Sequence, residues 1–308
     1  MEPIDTNLII ETRKLDFAYN HQSVLRQIDL KVPHGSIFGF LGPNGAGKST
    51  TIKALLGLLQ VKSGMVYLFG KEFHANRIGL LQRTSAMVES PSLYEHLSAT
   101  HNLEITQKLR QLSRDRIGVV LELVGLTKDS NKKVKQYSTG MKQRLSLAIA
   151  LMSEPELLIL DEPINGLDPS GIIEIRNLLT RLNKEANCTV FLSSHILDEI
   201  EKLCSHVAVI NHGNLLFQGD ISSFMLKYNQ ADSVILETGD NVQVSKMLLT
   251  DGAILEKDHV RVPFHSKQDI ASMIRRINDA GIEIYAVERD RNDLESSFLE
   301  ILTEGGNS

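Results

Sequence analysis

The run Gly42-Pro43-Asn44-Gly45-Ala46-Gly47-Lys48-Ser49-Thr50 constrains this chain more than any other feature. It matches the pattern G-x-x-x-x-G-K-[ST], and its surroundings fit. The apolar Ile37 to Leu41 leads in as a strand, while Ile52, Leu55, Leu56 and Leu59 follow at helical spacing. A strand, a tight glycine turn and an amphipathic helix in that order predict an α/β fold with the helix packed on the sheet. Gly45 and Gly47 let successive backbone N–H groups converge on one point, where the start of the helix adds its partial positive charge. A polyphosphate suits such a cradle, with Gly42, Asn44 and Ala46 shaping the loop and Thr50 supporting it. Lys48 would reach the β- and γ-phosphates of a nucleotide, and the Ser49 hydroxyl would ligate Mg²⁺ between them.

A second apolar run, Leu157 to Leu160, reads as a buried strand and ends in Asp161-Glu162. Open parallel sheets gather ligand chemistry at the carboxyl ends of their strands, which is where this acidic pair falls. Asp161 is expected to hold Mg²⁺ through water. Because side chains alternate along a strand, Glu162 is expected to leave the metal to Asp161 and to face an attacking water as general base.

Composition narrows the partners. A formal net charge of -5 over 308 residues argues against a broad nucleic-acid-binding face, and 42% hydrophobic with 23% charged residues suits a globular protein with a sizeable core. Cys188 and Cys204 form no CxxC pattern, so neither a disulfide framework nor a zinc site is expected. No stretch reaches the roughly 18 consecutive apolar residues of a membrane-spanning helix, and the opening MEPIDTNLIIETRK lacks a basic segment followed by an apolar core. These features predict a cytoplasmic chain, with any membrane-spanning part supplied by another polypeptide. Lys132, Lys133 and Lys135 form a short basic cluster best read as a solvated loop.

Along the chain, Leu8 to Ile10 and Val24 to Val32 join Ile37 to Leu41 as candidate strands in a strand-rich front. From about residue 92 to 153 the pattern turns helical, with Leu103, Ile105, Leu109 and Leu112, then Val119, Val120, Leu123 and Val124, recurring at three and four. This predicts a helical subdomain inserted in an α/β core, which resumes with Leu157 to Leu160, Cys188 to Leu192 and Val207 to Ile210 as strands of a mostly parallel sheet. Past Gly219, short strands at Val234 to Glu237, Val260 to Val262 and Ile282 to Val287, with two amphipathic helices, predict a small α+β appendage.

The phosphate loop, then Tyr137-Ser138-Thr139-Gly140-Met141 followed by Lys142-Gln143-Arg144, then LLILDEP, then Ser193-Ser194-His195, resemble in that order the motifs of the ATP-binding cassette (ABC) ATPases. The resemblance runs from about Leu8 to Gly219. It implies an α/β P-loop NTPase (RecA-like) core with an antiparallel β subdomain and a helical subdomain, the ATP-binding domain covering residues 6–220 and a C-terminal α+β domain covering 230–303. It also implies a head-to-tail homodimer with two ATP molecules and Mg²⁺ held between each phosphate loop and the opposing signature, represented here by Ser138 and Gly140. Tyr137, Thr139 and Met141 depart from the commonest spelling of that signature, LSGGQ.

By the same resemblance Tyr19 stacks on adenine, a contact worth about 1–3 kcal/mol if it behaves like base stacking elsewhere. Asp168, in Asn165-Gly166-Leu167-Asp168, sits at the dimer interface, and His195 touches the γ-phosphate. Most members carry a Mg²⁺-sensing glutamine where this chain has Glu89, so Glu89 is an expected further metal contact. Glu89 together with the YSTGMKQR spelling is similar to the subfamily that exports bacitracin or lantibiotic peptides for self-protection. The implied activity is ATP hydrolysis driving a separate integral-membrane permease, from the inner face of the cell membrane and without nucleic acid. Two other readings remain at this stage. A non-transport ABC ATPase of DNA repair or translation would carry a long coiled-coil interruption or two cassettes. A regulatory module with little turnover would have little use for both Asp161 and Glu162.

Overall fold

The computed structural model describes residues 7–88, 93–227, 233–290 and 294–305, and the chain divides into two compact units, Met1–Phe224 and Met225–Ser308. In the first unit the strands Ile37–Leu41, Leu157–Asp161 and Thr189–Ser194 are buried along their whole length. That is what near-continuous apolar runs demand: both faces of the sheet must be covered. They lie in a six-stranded sheet whose order is Asn214–Asp220, His206–Asn211, Ile37–Leu41, Thr189–Ser194, Leu157–Asp161, Thr84–Met87. All neighbours are parallel except the edge strand Asn214–Asp220, which returns antiparallel from a tight turn. The carboxyl ends of Ile37–Leu41, Leu157–Asp161 and Thr189–Ser194 therefore finish side by side, with Ser193 in register with Asp161 and Ser194 with Leu41.

A second sheet is antiparallel, in the order Lys31–Pro33, Leu8–Thr12, Val66–Leu68, Lys71–Glu72, and a separate hairpin pairs Leu15–Tyr19 with Gln22–Ile28. The single strand expected over Val24 to Val32 is thus two. The Thr12 hydroxyl donates to the Ile28 carbonyl at 2.6 Å and accepts the Leu30 N–H at 2.8 Å, so a side chain takes the groups that would continue the ladder. Phe38 and Phe40 on one core strand pack against Phe191 on the next, with ring centroids 5.7 and 5.5 Å apart. They share one apolar cluster with Ile9 and Ile10 of the antiparallel sheet and with Ile52 and Leu55 of the helix Lys48–Leu55.

Between the adjacent strands Thr84–Met87 and Leu157–Asp161 the chain inserts the helices Ala99–Arg110, Arg116–Leu123 and Thr139–Leu151. This is the expected helical subdomain, with one change of face. Leu103 is buried but Leu109 is 79% exposed, because the buried stripe runs through Ala99, Asn102 and Leu103 instead. Asn102 fills a polar role there, accepting the Tyr94 N–H and donating to the carbonyls of Tyr94 and Ser98.

The second unit places Ser233–Thr238, Asn241–Met247, Ile254–Leu255, Val260–Pro263, Lys267–Asp279 and Ile284–Asp290 in the order strand, helix, strand, strand, helix, strand. Its sheet is antiparallel, with Ile254–Leu255 at one edge, then Val260–Pro263, Ser233–Thr238 and Ile284–Asp290. That is the ferredoxin-like split βαβ arrangement. Its core joins Val234, Leu236, Val260 and Val262 of the sheet to Val244, Met273 and Ile277 of the helices. Two amphipathic helices are expected without fixed positions, and the described residues of this unit hold the helices Asn241–Met247, Lys267–Asp279 and Leu294–Gly305.

Candidate active site

The loop after Leu41 is built where only glycine fits. A Cβ on Gly42 would stand 2.4 Å from the Ile210 carbonyl oxygen. Gly47 has φ 113° and caps the Lys48–Leu55 helix, and a Cβ there would meet Leu25 at 2.9 Å. Gly45, also left-handed at φ 79°, faces open space. Ala46 is buried, its N–H donating to the Pro43 carbonyl and its carbonyl accepting the Gly213 N–H, which pins the loop to the sheet edge. Ser98, Ser138 and Asp168 cap the helices that follow them with side-chain oxygens, whereas the N-terminus of Lys48–Leu55 has no side-chain cap. Its leading N–H groups are donors that a phosphate can satisfy. Asn44 and Ser49 are exposed at this mouth, and Thr50 is partly exposed beside them.

Lys48 is buried to 7% exposure, its ammonium donating to the Gly42 carbonyl at 2.6 Å and the Pro43 carbonyl at 3.3 Å. The same nitrogen lies 3.7 Å from Glu162 Oε1. The other carboxylate oxygen of Glu162 meets His195 Nδ1 at 2.8 Å; an ionised carboxylate only accepts, so the ring N–H donates. His195 follows directly on the strand Thr189–Ser194 and is half exposed. Lys48, the Asp161-Glu162 pair and His195, from three distant parts of the sequence, thus converge at three adjacent strand ends.

The alternation expected at the end of the strand Leu157–Asp161 fails. Glu162 does not continue the alternation of its strand: Leu157–Asp161 ends one residue earlier, and Glu162 has φ 51°, the left-handed region. A non-glycine residue there is disfavoured by roughly 1–2 kcal/mol, so the turn must be held. Its N–H donates to Ser193 Oγ at 3.0 Å, and that hydroxyl donates in turn to Asp161 Oδ1 at 2.5 Å. Ser193 is therefore a functional candidate that reasoning from motifs gave no role, although its pairing with Asp161 follows once the parallel register is known.

Ser138 and Gly140 head a different helix from the one that carries Lys48. Ser138 caps Thr139–Leu151 by accepting the Met141 N–H at 3.3 Å, and Gly140 leaves room for Leu167, which a Cβ would approach to 3.4 Å. Gln143 on that helix donates to the Pro163 carbonyl at 2.9 Å, tying it to the segment after Glu162. Asp168 caps Pro169–Ala186 through the Gly171 N–H, and hydrogen bonds from Ser170 and Gly171 lower its pKa from the ordinary carboxylate value. Tyr19 ends its hairpin strand 44% exposed, edge-on to Phe17 at 4.8 Å. Lys132 is paired with Asp129 at 2.5 Å. Glu89 lies outside the described residues. Among the described residues no group of three or more His, Cys, Asp or Glu can hold a metal by itself, so a cation at Ser49 and Asp161 would draw its remaining ligands from phosphate oxygens and water.

The ABC transporter family profile matches residues 25–165, which contain the phosphate loop, the Tyr137–Met141 segment and the acidic pair. The chain is 39% identical over 303 residues to the bacitracin transport ATP-binding protein BcrA of Bacillus licheniformis, covering 96% of this chain and 98% of that protein. It is 38% identical over 210 residues to the lantibiotic transport ATP-binding protein SrtF of Streptococcus pyogenes, covering 68% of this chain and 90% of that one. Among solved structures, an ATP-binding subunit of an ABC transporter superposes with a TM-score of 0.64 at 29% identity, over 71% of this chain and 93% of that chain. With the phosphate cradle and the acidic pair in place, the chain belongs to the ATP-binding proteins of ABC transporters and is an ATPase of that family.

Proposed function

We propose that this ATPase powers the export of a bacitracin- or lantibiotic-like peptide through a separate membrane permease, working at the inner face of the membrane as a head-to-tail homodimer. The peptide class is supported by similarity to BcrA, which spans nearly the whole of both chains. Among the described residues no helix is long and apolar enough to cross a membrane, which suits a division of labour with a permease. Catalysis is assigned to the domain at residues 6–220, with residues 230–303 as an accessory domain.

The observation that carries the chemistry is the contact of Glu162 with both Lys48, 3.7 Å from its Oε1, and His195, 2.8 Å from its Oε2. Gly45, Gly47 and the uncapped helix N-terminus donate N–H groups to the phosphates, and Lys48 exchanges its loop carbonyls for β- and γ-phosphate oxygens. Ser49 and Asp161 would hold Mg²⁺, with Glu89 as a further contact; the ion, when bound, neutralises charge on the β- and γ-phosphate oxygens. His195 occupies Glu162 Oε2, which leaves Oε1 to take the proton of the attacking water. Tyr19 offers an exposed ring for adenine. Ser138, Gly140 and Asp168 act across the dimer, where the N-terminus of Thr139–Leu151 faces the γ-phosphate of the partner's ATP.

The test pairs turnover with resistance. Glu162→Gln should still bind ATP, accumulate as ATP-bound dimer and lose about 100-fold or more in kcat. Co-expressed with its permease in a sensitive bacterium, the native chain should raise the inhibitory concentration of a bacitracin-class peptide and Glu162→Gln should not. Turnover near the native rate in Glu162→Gln removes Glu162 as base; equal sensitivity with both proteins removes the peptide assignment.

A further inference from the structure

We infer that Ser193 is a positioning residue that sets both carboxylates of the acidic pair with a single hydroxyl. The inference rests on the function proposed above and concerns this chain's own groups. Ser193 is fully buried, so its hydroxyl must find its partners within the protein. It has one proton and spends it on Asp161 Oδ1 at 2.5 Å, while a lone pair receives the Glu162 N–H at 3.0 Å. The first bond fixes the rotation of the carboxylate assigned to the metal. The second holds the left-handed turn at φ 51° that brings Glu162 to Lys48 and His195. No other residue joins the two acids in this way among the described hydrogen bonds. The position is also fixed by topology, because Ser193 and Asp161 are in register on adjacent parallel strands, while the next residue, Ser194, bonds its own following segment through the Ile196 N–H.

Loss of the hydroxyl should act on the carboxylates and not on the phosphate cradle. Ser193→Ala should bind ATP in EDTA as the native protein does, since Ser193 bonds neither the loop, nor the Lys48 ammonium held by the Gly42 and Pro43 carbonyls, nor Tyr19. The gain in affinity on adding Mg²⁺ should shrink, and kcat should fall, each by about 10-fold or more, the usual consequence of removing a partner that orients a metal-binding carboxylate. Ser193→Cys nearly preserves volume but replaces a strong donor with a weak one, so it should behave as Ser193→Ala if the hydrogen bond matters and as native if only packing does. Ser85→Ala, another buried serine on a strand of the same sheet whose hydroxyl pairs with Ser153, controls for general loosening and should leave the Mg²⁺ gain unchanged. Calorimetry with and without Mg²⁺, beside steady-state turnover, reads all of these. If both Ser193 variants keep the native Mg²⁺ gain and kcat, the inference falls. If the native protein shows no Mg²⁺-dependent ATP binding at all, the functional reading falls first, and the two failures are told apart by that control.

Discussion

At Gly42 the space available decides the chemistry. A methyl group would be driven to 2.4 Å from the backbone oxygen of Ile210, an atom on a buried strand that cannot swing aside. Gly42→Ala should therefore cost about 1–3 kcal/mol of stability in urea unfolding and weaken ATP binding as the loop shifts, whereas an unchanged midpoint would show the loop to be more yielding than its contacts imply. The loop was legible in the sequence because its pattern encodes backbone geometry directly. Glu162 was legible as a residue but not as a conformation, since strand alternation says nothing of a left-handed turn one residue past the strand end. Ser193 escaped for a different reason: its partners lie on a neighbouring strand, and the register that brings it to Asp161 is a long-range property.

Helix entry points show the same division between local and long-range causes. Glu72 caps the helix Phe73–Gln82, accepting the Ala75 N–H at 2.7 Å, and also takes the Gly64 N–H and the Ser63 hydroxyl. Burial pushes its pKa up, but the backbone N–H bonds of Ala75, Gly64 and His74 and the Ser63 bond outweigh it, leaving the carboxyl at about 2 against an ordinary 4.5. A carboxyl lowered in the folded state stabilises fully above its unfolded pKa and loses that contribution as pH falls through its folded one. Glu72→Ala should thus cost about 0.5–2 kcal/mol at neutral pH, and its deficit relative to the native protein should shrink between pH 4.5 and pH 2. A deficit that stays constant over that range in thermal melts would remove the charge from the account. Four strands of the core sheet, Ile37–Leu41, Leu157–Asp161, Thr189–Ser194 and His206–Asn211, could be read from apolar runs, but Thr84–Met87 and the partly exposed edge strand Asn214–Asp220 could not. The break at Thr12 and the face of Ala99–Arg110 could not, because each depends on a polar side chain, Thr12 or Asn102, turned inward to satisfy backbone groups.

For the whole molecule, the separation of Lys48 and Ser138 onto different helices of one chain has a consequence in the head-to-tail dimer proposed above. Lys48→Ala and Ser138→Arg should each be nearly inactive alone, yet mixing the two purified proteins should restore turnover. A heterodimer places both lesions in one composite site and leaves the other site intact. Failure of the mixture to exceed either protein alone, with mixed dimers demonstrated, would overturn the head-to-tail arrangement. Both thiols are buried, and burial pushes the Cys188 pKa up to about 12 and that of Cys204 higher still, so neither should react with a thiol reagent at pH 8 until the chain unfolds. The α+β character of the second unit was legible from its alternating short elements, but its strand order was not, since the pairing of Ser233–Thr238 with both Val260–Pro263 and Ile284–Asp290 is again long-range.

Calorimetric titration of Mg-ATP into the native chain and into Lys48→Ala bears most directly on the phosphate cradle. The native protein should bind saturably, with affinity that rises when Mg²⁺ is present, and Lys48→Ala should bind at least about 10-fold more weakly, as expected for loss of a desolvated cation from a phosphate site. Equal affinity in the two proteins, or no binding by the native chain, would contradict the assignment of the Gly42–Thr50 loop as the nucleotide site.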